Sequence, residues 1–141
     1  MATDMKSKLR EYYAAWGSHD VERLASYFTD DLLYDDVPMG MVQHNKEEFK
    51  ASFRTFFASC PDFTLELKEL LVADDRAGSE WVMSGTHAGD WTGMPATGKS
   101  FSIRGASIIE LREDKIRREA LYWDAVSLMQ QLGFMPQVPS P

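Results

Sequence analysis

Apolar side chains recur at helical spacing through the first sixty residues and at alternate positions afterwards, so the chain divides into a helical part and a strand-rich part. Met5, Leu9, Tyr12, Tyr13 and Trp16 share one face of a first helix that Gly17 ends. Asp20 caps the next stripe, Val21, Leu24, Ala25 and Phe28, with Glu22 well placed against the helix dipole. Residues 31–42, DLLYDDVPMGMV, contain Pro38 and Gly40 and read as a strand followed by a loop, a candidate pocket rim. Asn45 and Glu48 form a capping-box variant opening a third helix, with Phe49, Phe53, Phe56 and Phe57 on one face and Pro61 closing it.

From residue 62 the period becomes two. Phe63, Leu65, Leu67 and Leu71 alternate with polar residues. Trp81, Met83, Gly85, His87, Gly89 and Trp91 fall on one face of a second strand, and TGMPATGKS follows as a loop. FSIRGASIIEL gives a third strand, REDK a turn, and IRREALYWD a fourth strand ending at Asp124. AVSLMQQLG then returns to helical spacing through Val126, Met129 and Leu132, with Gly133 as its C-cap. Helices first and antiparallel strands afterwards predict an α+β domain over residues 1–141, with a loose tail at 134–141. Its expected form is a cone: a strongly bent antiparallel sheet with three N-terminal helices over its concave side, enclosing an apolar pocket.

Composition narrows the function. The 141 residues are 44 % hydrophobic and include four Trp, eight Phe and five Tyr, more aromatic material than a minimal core requires. A net charge of -7 opposes binding to nucleic acid. No apolar run suits a membrane span, and the N-terminal stretch has no signal-peptide core, so a cytoplasmic location is expected. Cys60 is the lone cysteine and reads as structural. The three histidines show no metal-ligand spacing, and the GxxxTGK stretch has the wrong glycine spacing for a phosphate loop. His19 and His44, at helix starts, are expected to face solvent.

Alternation in the last strand puts Arg118, Ala120, Tyr122 and Asp124 on one face and Arg117, Glu119, Leu121 and Trp123 on the other. Spacing does not say which face looks inward. If Asp124 does, apolar walls would raise its pKa and make it a proton carrier near neutral pH; the competing reading is the N-cap of the helix that follows, and one residue could serve both. Tyr34 and Asp36 share a face on the rim and are candidates for binding substrate or supplying a second carboxylate. His87 is a candidate for polarising a carbonyl, and Trp16 for lining the cavity. Arg104, the one charge within FSIRGASII, either reaches solvent or meets an anion.

WGSHDVERLASYFTDD, LYDDVP, GTHAGDWTGMPATGKSFSIRGASIIEL and KIRREALYWDAVSLMQQLG, in register over nearly the whole chain, resemble the SnoaL-like polyketide cyclase family of the nuclear-transport-factor-two-like superfamily. Asn45 and Asp114 depart from it, standing where a typical member has glycine. The resemblance implies a pocket free of cofactor and metal, where a ring closes by aldol condensation and an aspartate at the end of the last strand acts as acid and base. Asp124 matches that position, followed by Gln131, Leu132 and Gly133. The expected activity is cofactor-independent acid/base chemistry, an aldol-type cyclisation or isomerisation, on a small apolar carbonyl compound. Two other functions compete: a noncatalytic ligand-binding or dimerisation module, and an epoxide hydrolase-like enzyme with Arg104 beside two carboxylates. A homodimer through the outer face of the sheet is expected in each case.

Overall fold

The computed structural model of the protein describes residues 2–136. Helix α1 (Ala2–Ala15) runs into a 3-10 turn at Trp16–Ser18, then α2 (Val21–Ala25), β1 (Phe28–Asp36), β2 (Met41–Gln43) and α3 (Lys46–Ser59). Four strands follow, β3 (Thr64–Ala73), β4 (Arg76–Thr86), β5 (Ser100–Arg112) and β6 (Lys115–Trp123), and α4 (Ala125–Leu132) comes last. Three helices start where a side chain can accept a free backbone N–H. Asp20 accepts from Arg23, Asn45 from Glu48, and Asp124 from Ser127 at 2.9 Å. Asn45 thus gains a cap in an extended conformation that needs no glycine.

The sheet has the order β2-β1-β6-β5-β4-β3. β3 to β6 form the expected antiparallel meander, whereas β1 lies parallel to β6, a long-range pairing that no local pattern announces. Met41–Gln43, read above as loop, is an edge strand paired with β1 after a turn in which Gly40 takes φ +65°. In the two-residue β5–β6 turn, Glu113 and Asp114 both adopt left-handed backbone, which a short polar side chain tolerates best after glycine. The sheet curls without closing, and the helices fill its concave side to complete an α+β cone. No helix among the described residues is long and apolar enough to cross a membrane.

Irregularities decide which side chains point inward. A register shift between Leu67 and Glu69 turns Leu70 into the core and leaves Leu71 65 % exposed, contrary to strict alternation from Phe63. α4 packs through Leu128 and Leu132, while Val126 lies on its exposed side. In the tail, Phe134 N–H bonds the Met129 carbonyl and Gln130 holds the Pro136 carbonyl; residues 137–141 lie outside the described residues.

Gly105 shapes the floor of the cone. It lies beside both Trp81 and Trp123 in the sheet, and a Cβ there would stand 2.3 Å from the Trp81 ring. That ring is pinned by its Nε1, which donates to Ser107 Oγ at 3.0 Å. Gly105→Ala is expected to cost about 1–3 kcal/mol through overpacking and to alter Trp81 fluorescence. Chemical denaturation checks it, and unchanged stability with an unchanged spectrum would show that the ring moves freely.

Candidate active site

The 3-10 turn, α3, α4 and the concave face of the sheet surround a cavity of about 90 Å³. Its wall is mainly aromatic. Trp16 meets Phe53 edge-on at 4.8 Å, Tyr34 lies 5.3 Å from Phe53, and Phe56 bridges Phe63 and Trp91 at 4.9 and 5.3 Å. These contacts join α3 to the 3-10 turn, to β1 and to the segments at Phe63 and Trp91, so the phenylalanine stripe of α3 is at once core and cavity lining.

Strand β6 answers the question of face. Glu119, Leu121 and Trp123 line the cavity, whereas Tyr122 is about half exposed on the outer surface. Asp124 is exposed; its carboxylate accepts from Ser127 N–H and starts α4, outside the cavity wall. The helix-cap contact expected of Asp124 is therefore present. Arg104 is exposed on the outer face beside Val82, away from any cavity carboxylate, which removes the arrangement an epoxide hydrolase would need. Trp16, Tyr34, Asp36 and His87 do come together in the cavity wall.

Asp36 ends β1, where its carboxyl enters the cavity wall and is largely withdrawn from solvent. Trp123 Nε1 donates to Oδ1 at 3.0 Å and Met39 N–H reaches the same oxygen at 3.4 Å. Burial raises the carboxyl to a pKa of about 6, partly opposed by those two hydrogen bonds. Both known bonds fall on Oδ1, which leaves Oδ2 for a ligand.

His87 lies just past the end of β4, held by backbone bonds to Lys99 and Gly98 rather than by a continuing strand. Its Nδ1 is 3.1 Å from Thr97 Oγ1, an oxygen that already accepts from Lys99 N–H. The arrangement that satisfies all three groups has the Thr97 hydroxyl donating to Nδ1, which puts the imidazole proton on Nε2. Nε2 is buried and has no protein partner among the described residues. His19, by contrast with the solvent position expected for it, stacks on Phe57 at 4.4 Å and bonds the Phe63 carbonyl; His44 is exposed.

A second carboxyl, not singled out in the sequence, forms the cavity's inner wall. Glu119 is completely buried and accepts from Tyr12 at 2.7 Å and Tyr13 at 3.2 Å. Tyr13 also meets Ser79 Oγ at 2.6 Å. Burial raises the Glu119 pKa against these donors, and burial with the Glu119 charge pushes both tyrosines well above their usual range. The signal available was a lone carboxylate on the face shared by Leu121 and Trp123; its tyrosine partners lie more than a hundred residues away. Gln43 was missed because it falls between the segment read as strand and loop, 31–42, and the helix opening at Asn45. Cys60 borders the cavity, but burial pushes its thiol up to about 11, so it stays protonated. Among the described residues no three His, Cys, Asp or Glu side chains gather in a metal-binding group.

A cone with one aromatic cavity and a perturbed carboxyl in its wall defines a class of small pocket proteins. Within that class the chain belongs to the SnoaL-like polyketide cyclase family, whose model matches residues 6–132. Among solved structures, TsrD from Streptomyces laurentii is similar at TM-score 0.85 and 24 % identity, covering 96 % of this chain and 99 % of that one. AclR from Streptomyces galilaeus is similar at 0.84 and 21 %, covering 99 % and 87 %. A Catenulispora acidiphila protein described as having a ketosteroid isomerase-like fold, in complex with trimethylamine, is similar at 0.79 and 20 %, covering 93 % and 96 %. At these identities the likeness is one of fold. No curated protein sequence matches the chain.

Proposed function

We propose that the protein is a cofactor-independent acid/base enzyme acting on a small apolar carbonyl compound, with Asp36 as the proton carrier and His87 as the group that steadies the oxygen. The observation that carries this reading is the Asp36 carboxyl, raised to about 6 in the wall of an aromatic cavity. A carboxyl with that pKa is half ionised close to neutral pH, where general acid/base catalysis works best.

As a carboxylate, Asp36 takes a proton from a carbon beside the carbonyl. The C–H electron pair becomes the enolate double bond, and the charge settles on an oxygen that accepts from His87 Nε2–H. In a cyclisation the enolate carbon attacks a second carbonyl, whose π pair becomes an alkoxide, and the proton held by Asp36 passes to that oxygen. In an isomerisation the same proton returns to a different carbon. Trp16 and Tyr34 supply flat walls for the substrate.

The test needs no knowledge of the natural substrate. The protein is expected to accelerate exchange of the α-protons of cyclohexanone in D2O, with a rate that rises with pH and reaches half its plateau near pH 6. Exchange no faster than in buffer across pH 5–8 would remove the proposal.

The outer face of the sheet supports a second element, a homodimer. Val42, Ile108 and Leu71 fall in one row across that face, on β2, β5 and β3, with Tyr122 on β6, and all four are exposed. Exposed apolar side chains aligned across a sheet face favour self-association through it. Sedimentation at micromolar concentration is expected to give twice the mass of the 16.0 kDa chain, and a monomer would contradict it.

A further inference from the structure

Two buried polar atoms of the cavity residues take no part in the proton transfer and have no protein partner among the described residues: Trp16 Nε1 and Gln43 Oε1. Trp16 is 3 % exposed and Gln43 7 %. Packing fixes each of them. The Trp16 ring is held against Phe53, and Gln43 Nε2 donates to Ser52 Oγ at 3.4 Å. Gln43 lies directly across from Tyr34 in the β1–β2 pair, and Trp16 packs on Tyr34 with ring centroids 6.3 Å apart. Both therefore border Tyr34 at the β2 edge of the sheet.

An indole N–H only donates and an amide oxygen only accepts. Buried groups of either kind are rarely left unpaired, because desolvation without a new bond is costly. The chemistry of the missing partner follows from the pair. A methyl group serves neither atom, and a ketone or ether oxygen serves only Trp16. An ammonium group would face the indole N–H with a like-signed charge, and a carboxylate would enter a cavity that already contains Asp36 and Glu119. A hydroxyl both accepts and donates, so it suits both atoms.

We infer that the ligand of this cavity carries an uncharged hydroxyl, alcoholic or phenolic, that accepts from Trp16 Nε1 and donates to Gln43 Oε1, beside Tyr34. The inference rests on reading the cavity as the substrate site, and it makes the substrate a hydroxylated carbonyl compound. The cavity is of the same order as the roughly 150 Å³ engineered cavity that takes up benzene, so single-ring probes are appropriate.

The test is titration of the 15N-labelled protein with phenol and with toluene, which exchange a hydroxyl for a methyl. Phenol is expected to bind about tenfold or more tightly, although toluene is the more apolar of the two. Phenol is also expected to move the Trp16 indole resonance, identified as the one lost in Trp16→Phe. In Gln43→Leu the phenol preference is expected to fall towards unity. Equal affinities in the unaltered protein, or no binding of phenol, would overturn the inference without any variant; so would a preference that persists undiminished in Gln43→Leu. Affinity is read without turnover, so the two proposals fail separately. Equal affinities beside Asp36-dependent exchange would remove only the hydroxyl seat. A phenol preference beside exchange that ignores Asp36 would remove only the acid/base reading.

Discussion

Asp36→Asn is expected to lower ketone exchange by about 10²- to 10⁴-fold, the usual worth of a positioned general base, while making the fold more stable at neutral pH. The two effects have one cause. The folded-state pKa of about 6 lies above the ordinary 3.8, so folding favours the protonated carboxyl. The stability tied to that proton is complete below about pH 4, falls as pH rises through the interval, and is lost above pH 6. At 1.36 kcal/mol per pH unit the loss approaches roughly 3 kcal/mol. Asparagine carries no charge and keeps an oxygen for the Trp123 N–H, so the variant escapes that penalty. Urea denaturation at pH 4 and pH 8 is the check. The variant should match the unaltered protein at the lower pH and exceed it at the higher one; equal stability at pH 8 would mean that the carboxyl is not raised.

Glu119→Leu is expected to act in the opposite direction, destabilising the protein by about 3 kcal/mol or more, because it strips hydrogen-bonded partners from a buried site. Glu119 Oε1 is the acceptor for the Tyr12 hydroxyl, and Oε2 shares Tyr13 with Ser79. Leucine fills similar space but leaves the tyrosine O–H groups without that acceptor. For a chain of this length the change corresponds to roughly 10 °C in Tm. Glu119→Gln keeps its size and one carbonyl acceptor for Tyr12, while its NH2 replaces the oxygen that meets Tyr13, whose hydroxyl can accept instead, so it should lose less than leucine. Thermal unfolding of both variants separates the contributions. A leucine variant as stable as the glutamine one would show that the tyrosine bonds add little.

Much of the fold is legible in the sequence because its determinants are local. Asp20, Asn45 and Asp124 announce the helices they cap, and the alternation in FSIRGASIIEL and IRREALYWD announces two strands. The parallel pairing of β1 with β6 is not legible, since it depends on chain closure across more than eighty residues. The shift after Leu67 also breaks a pattern that otherwise extrapolates correctly.

The site follows the same division. Trp16, Tyr34, Asp36 and His87 are recognisable as residue types on the expected inner surface, and the structure gathers them. What sets the Asp36 pKa is burial with a bond from Trp123, 87 positions away, and what buries Glu119 is a tyrosine pair on the first helix. The orientation of β6 is the step that spacing leaves open. Once Glu119 and Trp123 face inward, Tyr122 faces out, and Asp124 is left at the surface as the cap of α4.

The assignment of the proton carrier is tested most directly by the pH dependence of cyclohexanone exchange, measured side by side in the unaltered protein, Asp36→Asn and Asp124→Asn. The account expects a midpoint near pH 6 in the unaltered protein, the same midpoint and a comparable rate in Asp124→Asn, and loss of the pH-dependent rate in Asp36→Asn. Exchange that survives in Asp36→Asn and disappears in Asp124→Asn would contradict it, and would return the chemistry to the end of the last strand.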